Sequence, residues 1–375
     1  MSGEPVGIAG APSPLLARAG AVADGATGVA WHYGDPVAEA RALGAGRGVS
    51  DQSHRGVVKV TGPDRLSWLH SLTSQDLATL APRTSTETLV LSPHGHIEHA
   101  AGVVDDGTTT WLVTDTAAGL ATWLDRMRFT LRVEVADESD RWAAIGEPVP
   151  DEGTLDGPVV WADPWPRTAP GGTRYGPVDA DHPGAERPWR LVLVPRTALA
   201  AQIERREAAG ARLTGTWAVE AARVAAWRPA SAEVDHRTIP HELDWLRTAV
   251  HLHKGCYRGQ ETVARVHNLG RPPRRLVLLH LDGSDHRFPE PGAVVTAEGR
   301  EVGVVTSVVR HHELGPVALA VVKRALDVTA PLLVTCPDGD TAAAQEVIVA
   351  GEGLSADRPP PRREVARGIA PPTTR

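Results

Sequence analysis

The sequence predicts an α+β protein: two α+β units of ferredoxin-like type, then a small C-terminal β-barrel. Three observations carry this. Residues 56–138 read as strand, helix, strands, helix, strand. A strand and two helices recur across 190–227. Beyond Pro272-Pro273 the chain turns into short β-rich runs separated by turns. A length of 375 residues is enough for two or three domains at ~100–200 residues each.

The elements follow in order. Residues 1–30 are rich in Ala, Gly and Pro and are expected to be flexible, apart from a short helix around 15–21. Order is expected from Trp31, with a helical turn at 36–43. Val57-Val58-Lys59-Val60 is a short strand, and Pro63 stands where a first helical turn tolerates proline. Leu66, Leu69 and Leu72 mark a helix to about Ser74. Strands are expected at 87–91 and 96–104, and Asp106-Gly107 turns the chain into a strand at 109–114. Leu120, Trp123, Leu124 and Met127 recur at i, i+3, i+4, i+7, which predicts an amphipathic helix over 116–129. Leu131, Val133 and Val135 alternate in a closing strand.

Residues 147–188, rich in Pro, Gly and Asp, are expected to be irregular except for a strand at 159–162. A strand at 190–194, a helix at 197–209 closed by Gly210, and a helix at 216–227 stopped at Pro229 complete the second unit. Barrel strands are expected at 275–281, 294–297, 302–309, 317–322 and 332–335. The tail from Ser355, with Pro359-Pro360-Pro361 and several arginines, cannot bury a core. The expected organisation is a flexible segment 1–30, a first α+β domain from 31–55 and 139–268, a second at 56–138, a barrel at 269–352 and a disordered tail at 353–375.

Composition narrows the function. Apolar residues make up 42% and charged ones 23%, ordinary for a soluble protein, and the net charge is −7. That balance gives no support to a nucleic-acid or anionic-membrane partner. Cys256 and Cys336 are the two cysteines and do not make a disulfide scaffold. No run reaches the ~18 apolar residues of a membrane helix, and the N-terminus lacks the basic stretch of a signal peptide, so a cytoplasmic location is expected. Eleven Trp against three Tyr and two Phe is unusual; they either fill core positions or stack on a planar ligand, and composition does not separate the two.

Lys254-Gly255-Cys256-Tyr257-Arg258-Gly259-Gln260-Glu261 is the most informative stretch. Cations beside a cysteine lower its pKa, and the glycines allow turns and close approaches that a side chain forbids. Gln260 and Glu261 supply an amide and a carboxylate to orient a polar ligand. A buried structural cysteine is the competing reading. His251, His253 and Cys256 form H-x-H-x-x-C, and His94, His96 and His99 form a second cluster, but no C-x-x-C partner completes a metal site and none is predicted. Leu43–Gly48 lacks the Lys-Ser/Thr of a phosphate loop.

The octapeptide resembles the K-G-C-Y-x-G-Q-E element of the YgfZ family, folate-binding proteins linked to iron–sulfur cluster assembly and repair and built on the fold of the glycine-cleavage aminomethyltransferase (GcvT). Asp64-Arg65-Leu66-Ser67-Trp68-Leu69 with Thr73-Ser74-Gln75-Asp76, Ala222-Arg223-Val224-Ala225-Ala226, Ile239-Pro240-His241-Glu242, Gly299 with Val302 through Ser307, and Ala318-Leu319-Ala320 resemble further family segments in the right order. The resemblance implies a GcvT-like fold with interlocked α+β units and a barrel around a central channel, and tetrahydrofolate or a derivative as cofactor. It implies iron–sulfur enzymes or assembly proteins as partners. Cys256 and Lys254 would be the chemically active residues, with Gly255, Tyr257, Gly259, Gln260, Glu261 and Arg223 around the cofactor.

Aminomethyltransferases of the family carry a paired aspartate where this chain has Gly95-His96-Ile97-Glu98-His99-Ala100, and a glutamate where it has Ala225. Enzymatic activity is therefore left open. The expectation is a folate-binding accessory factor, with a folate-dependent aminomethyl or C1 transferase or demethylase and a non-catalytic scaffold as alternatives.

Overall fold

The valine run predicted as a strand is the Gly56–Thr61 strand of the computed structural model, which describes residues 12–150 and 159–358. Val57, Val58 and Val60 are fully buried because the strand is central in its sheet and covered on both faces. That five-stranded antiparallel sheet runs in the order Ser85–Leu91, Ile97–Asp105, Thr109–Thr114, Gly56–Thr61, Glu134–Asp137. Helices Arg65–Leu72 and Ala117–Arg126 pack on one face, where Trp68, Leu69, Leu120 and Leu124 fill a core with Val58, Val60 and Val103. The helix of the predicted i, i+3, i+4, i+7 run ends three residues early, at Arg126.

A second five-stranded sheet has the order Val159–Ala162, Trp189–Pro195, Trp142–Pro148, Gly48–Asp51, Arg212–Thr214. Its last pair is parallel, Arg212 opposite Gly48, and the remaining pairs are antiparallel. The chain thus enters this sheet at Gly48, leaves at once for the first sheet, and returns at Trp142. The two sheets share a core of Val57, Val104, Trp111 and Val113 with Trp161, Trp189, Leu191 and Leu193. Trp161 Nε1 donates to Thr86 O at 2.7 Å across the junction.

Strands Arg274–Leu281, Gly315–Lys323, Arg300–His311, Val294–Ala297, Leu332–Val334 and Thr341–Val347 close into a six-stranded barrel. The last was not anticipated: Thr341-Ala-Ala-Ala-Gln-Glu-Val alternates buried and exposed positions, but its small residues carry little β signal. Helix Thr216–Ala225 packs against Arg300–His311 and ties the barrel to the sheets, with Arg223 Nη2 donating to Ser307 Oγ at 2.6 Å.

Part of the stretch expected to be loose is ordered. Pro14–Ala17 forms a 3-10 turn, Val22–Ala23 pairs with Ala30–His32, Leu15 is buried, and Ser13 Oγ donates to Asp51. The apolar Leu15 and the carboxylate of Asp51 give this segment partners that composition does not reveal. At the other end, Ser355 is buried and Arg358 Nη1 donates to Gly270 O at 3.0 Å, so residues 353–358 pack against the molecule. The rest of the expected tail and residues 1–11 lie outside the described residues. Among the described residues no helix is long and apolar enough to cross a membrane.

Candidate ligand-binding site

The thiol loop joins the buried turn Leu246–Ala249 to helix Gln260–Asn268. Gly259 opens that helix at φ 83°, and a Cβ there would lie 2.5 Å from Ser92 O, so the bend requires glycine. Cys256 and Gly255 are exposed. Glu261 is exposed in the first helical turn, where a carboxylate is favoured by the helix dipole. Gln260 Nε2 reaches back to Lys254 O at 3.4 Å.

The two cations flanking the cysteine are committed elsewhere. The Lys254 ammonium donates to His70 O, to Thr73 O at 2.6 Å and to Gln75 O at 2.9 Å. These are carbonyls at and beyond the C-terminal end of helix Arg65–Leu72, which lack intrahelical partners. Burial lowers the Lys254 pKa to about 8, opposed by Asp76, so the group remains a cation at neutral pH and can donate to all three. Arg258 pairs with Glu98 at 2.8 Å. Tyr257 is buried, its ring 5.2 Å from Lys254 Nζ and its hydroxyl without a partner among the described residues; burial raises its pKa. Lys254 is thus a clamp on backbone carbonyls, and charged neighbours in sequence do not converge on the sulfur.

A cavity of about 970 Å³ lies where the two sheets, helix Thr216–Ala225 and barrel strand Arg300–His311 meet. It is at the upper end of the ~300–1,000 Å³ typical of small-molecule sites. Trp31, Trp161, Trp189, Trp217 and Trp245 contribute to its wall, five of the eleven tryptophans of the chain. Trp161 lies so close over Gly102 that a Cβ there would sit 2.5 Å from the indole ring. Trp68, Trp111, Trp165 and Trp227 are core residues away from the wall. The chain therefore uses tryptophan both ways.

Ion pairs set the polar part of the wall. Arg228 binds Glu87 at 2.6 Å and Asp163 at 3.1 Å, and Glu87 also accepts from Trp245 Nε1 at 3.1 Å and from the Thr248 hydroxyl. Arg55 meets Asp115 at 3.0 Å, and Ser231 Oγ donates to the same carboxylate at 2.6 Å. Arg223 pairs with Glu220 and with Glu233 at 2.9 Å. Burial pulls the Arg223 pKa down, but the two carboxylates outweigh it and hold it above the ordinary value. Arg187 also lines the cavity, stacked 4.7 Å from the Trp189 ring.

Of the residues singled out in the sequence, Arg223 lines this cavity, whereas Gly255, Tyr257, Gly259, Gln260, Glu261, Lys254 and Cys256 do not. The loop touches it through one link, the Arg258–Glu98 pair, since Glu98 is on the wall. Glu87, Asp163, Arg187 and Arg228 were not found from sequence. They come from four separate segments without a motif, and the excess of tryptophan was the one signal that pointed to their surroundings. Both histidine pairs sit loosely, with ring centroids 6.2 Å apart for His94 and His96 and 6.3 Å for His251 and His253. Among the described residues no group of three or more His, Cys, Asp or Glu is placed to hold a metal ion.

Comparison with known proteins accounts for this architecture. Residues 19–146 match the GCVT N-terminal domain, and residues 274–348 match the glycine cleavage T-protein C-terminal barrel domain. The chain has a GcvT-like fold. The glycine cleavage system aminomethyltransferase T from Bartonella henselae superposes with a TM-score of 0.71 over 90% of this chain and 94% of that one, at 18% identity. A putative chloroplastic transferase of Arabidopsis thaliana is 25% identical over 286 residues, 69% of this chain, and the match spans 61% of that relative's length. The GcvT-like α+β architecture and closed barrel expected from the sequence are borne out.

Proposed function

We propose that this GcvT-like chain is a tetrahydrofolate-binding protein, acting in the cytoplasm as an accessory factor for assembly or repair of iron–sulfur enzymes, with the exposed Cys256 thiol as its chemically active group. The observation that carries the folate reading is the tryptophan-walled cavity at the junction of sheets and barrel in this fold. Its size and flat aromatic walls suit a pterin with its arylamine arm. Trp161 and Trp189 would face the rings, and Arg223, fixed by two carboxylates, would border them. Bound tetrahydrofolate supplies a nitrogen that carries a one-carbon unit.

Most carboxylates on the cavity wall are already committed to arginines; among the described residues Asp24 has no cationic partner and accepts from Thr216 Oγ1 at 3.2 Å. Ala225 has no carboxylate, and no paired aspartate occurs in Gly95 through Ala100. Glu98 is engaged by Arg258, Asp115 by Arg55, and Asp163 and Glu87 by Arg228. That pattern favours holding folate over turning it over. The iron–sulfur role rests on the octapeptide's resemblance to the YgfZ element and on the exposure of Cys256.

A transferase reading has one observation of its own: Glu98 and Asp115 both reach the cavity wall. Tetrahydrofolate titration followed by tryptophan fluorescence tests the first reading, with saturable quenching expected and weakened by Trp189→Leu. Turnover of aminomethyl or N-methyl donors, lost in Glu98→Gln, would promote the transferase. Cells carrying Cys256→Ala are expected to lose activity of cluster-dependent enzymes; full activity would remove the thiol from the mechanism.

A further inference from the structure

The cations on the cavity wall are not equivalent. Arg55, Arg223 and Arg228 each hold at least one carboxylate within 3.1 Å. Arg310 lies over the Phe288 ring and is exposed to solvent. Arg187 has no such carboxylate and, although it too lies over a ring, is less exposed than Arg310. Its Nε is fully enclosed and finds no hydrogen-bond acceptor, and no carboxylate lies within ion-pair distance, among the described residues. The acids whose fields reach it are committed: Asp163 to Arg228, and Glu220 to Arg223. Burial lowers its pKa to about 10, so it is a cation at neutral pH. Its other contact is the face of Trp189, which also lines the cavity.

Arg187 as a whole is half-buried, but its enclosed Nε is costly to leave without an acceptor, and no carboxylate among the described residues neutralises its charge. Its planar fork matches a carboxylate, with two parallel N–H···O bonds, better than any neutral acceptor. We propose that Arg187 is the anion anchor of this cavity, and that the ligand is a flat aromatic molecule whose carboxylate is held inside, beside Trp189, and not left in solvent. This goes beyond the folate reading, which concerns the heterocycle. It applies to the benzoylglutamate arm of a folate and to any other aromatic acid of suitable size.

Calorimetric titration of the full chain tests it, using wild type, Arg187→Gln and Arg187→Lys. The probes are tetrahydrofolate, p-aminobenzoylglutamate and 6-methyltetrahydropterin, of which the last has no carboxylate. Arg187→Gln is expected to weaken both carboxylate ligands at least about tenfold, Arg187→Lys by less, and neither should change pterin affinity. The ligand-free Arg187→Gln protein should melt no lower than wild type, since glutamine removes a half-buried charge that has no carboxylate partner among the described residues. Binding of p-aminobenzoylglutamate through Arg187 with no response to tetrahydrofolate would discard the folate reading and keep the anchor. Equal carboxylate affinities in wild type and Arg187→Gln, or no binding of either carboxylate probe to wild type, would overturn the anchor. A lower melting temperature in Arg187→Gln with unchanged affinities would make the arginine a packing residue and overturn it too.

Discussion

Lys254→Met removes an ammonium and keeps a side chain of similar length. The ammonium donates to three carbonyls, those of His70, Thr73 and Gln75. Thr73 and Gln75 are buried, so their carbonyls have no ready access to water, whereas His70 is partly exposed. Two buried acceptors left unpaired cost about 1–3 kcal/mol each. Against this, the substitution relieves the desolvation that lowers the lysine pKa to about 8. That relief is worth no more than about 3 kcal/mol at 1.36 kcal/mol per pKa unit, and is smaller at a partly exposed site. The balance is a net loss of about 2–3 kcal/mol, as is usual for breaking a buried hydrogen-bonded charge. Guanidinium denaturation at pH 7 measures it, and the midpoint should fall with an unchanged slope. Cys256 alkylation by iodoacetamide, measured well below the unfolding transition, should keep its wild-type rate. Stability unchanged to within about 0.5 kcal/mol with a large loss of thiol reactivity would show that the ammonium serves the sulfur, and the clamp would be wrong.

Three further outcomes are expected. Burial lowers the pKa of His54 to about 4 and of His182 and His241 to about 3, so between those values and the unfolded value near 6.5 protons bind the unfolded chain alone. The histidine contribution should be flat above pH 7 and fall on acidification through 6.5 by up to ~1.4 kcal/mol per pH unit for each histidine. Denaturation curves at pH 7, 6 and 5 check this; His241→Phe should reduce the slope, and a constant midpoint would refute the assignment. Ellman's reagent should find one fast thiol in the native protein, lost in Cys256→Ala, and a second, Cys336, only after denaturation, because Cys336 is buried with its pKa raised by that burial. Gly102→Ala should displace Trp161, lower stability by about 1–3 kcal/mol as overpacking does, and weaken any ligand of the cavity; wild-type affinity would show that Trp161 is not part of the binding wall.

The fold was legible where local patterns were strong. The valine strand at Gly56–Thr61, the periodic helix ending at Arg126 and the Asp106-Gly107 turn each follow from side chains within a few residues. The Thr341–Val347 strand was missed because alanines at its centre give weak β preference, and its place depends on closing a barrel with strands far away in sequence. The site was legible in one half. An eight-residue motif identified an exposed thiol loop, but its two cations are satisfied by His70, Thr73, Gln75 and Glu98, which no local rule names. The cavity wall was illegible because Glu87, Asp163, Arg187 and Arg228 become neighbours through sheet packing alone.

The early departure of the chain from the Gly48–Asp51 strand has a consequence for the order in which the protein can be made. Residues 56–137 supply every strand of one sheet and can zip together as they leave the ribosome. The Gly48–Asp51 strand emerges before them, yet its flanking partners, Trp142–Pro148 and Arg212–Thr214, are translated much later. Until then its edges stay open to a wrong neighbour. The nascent chain must therefore carry this strand unpaired until residues 142–148 have emerged, and its other edge is closed only after residue 214 has emerged.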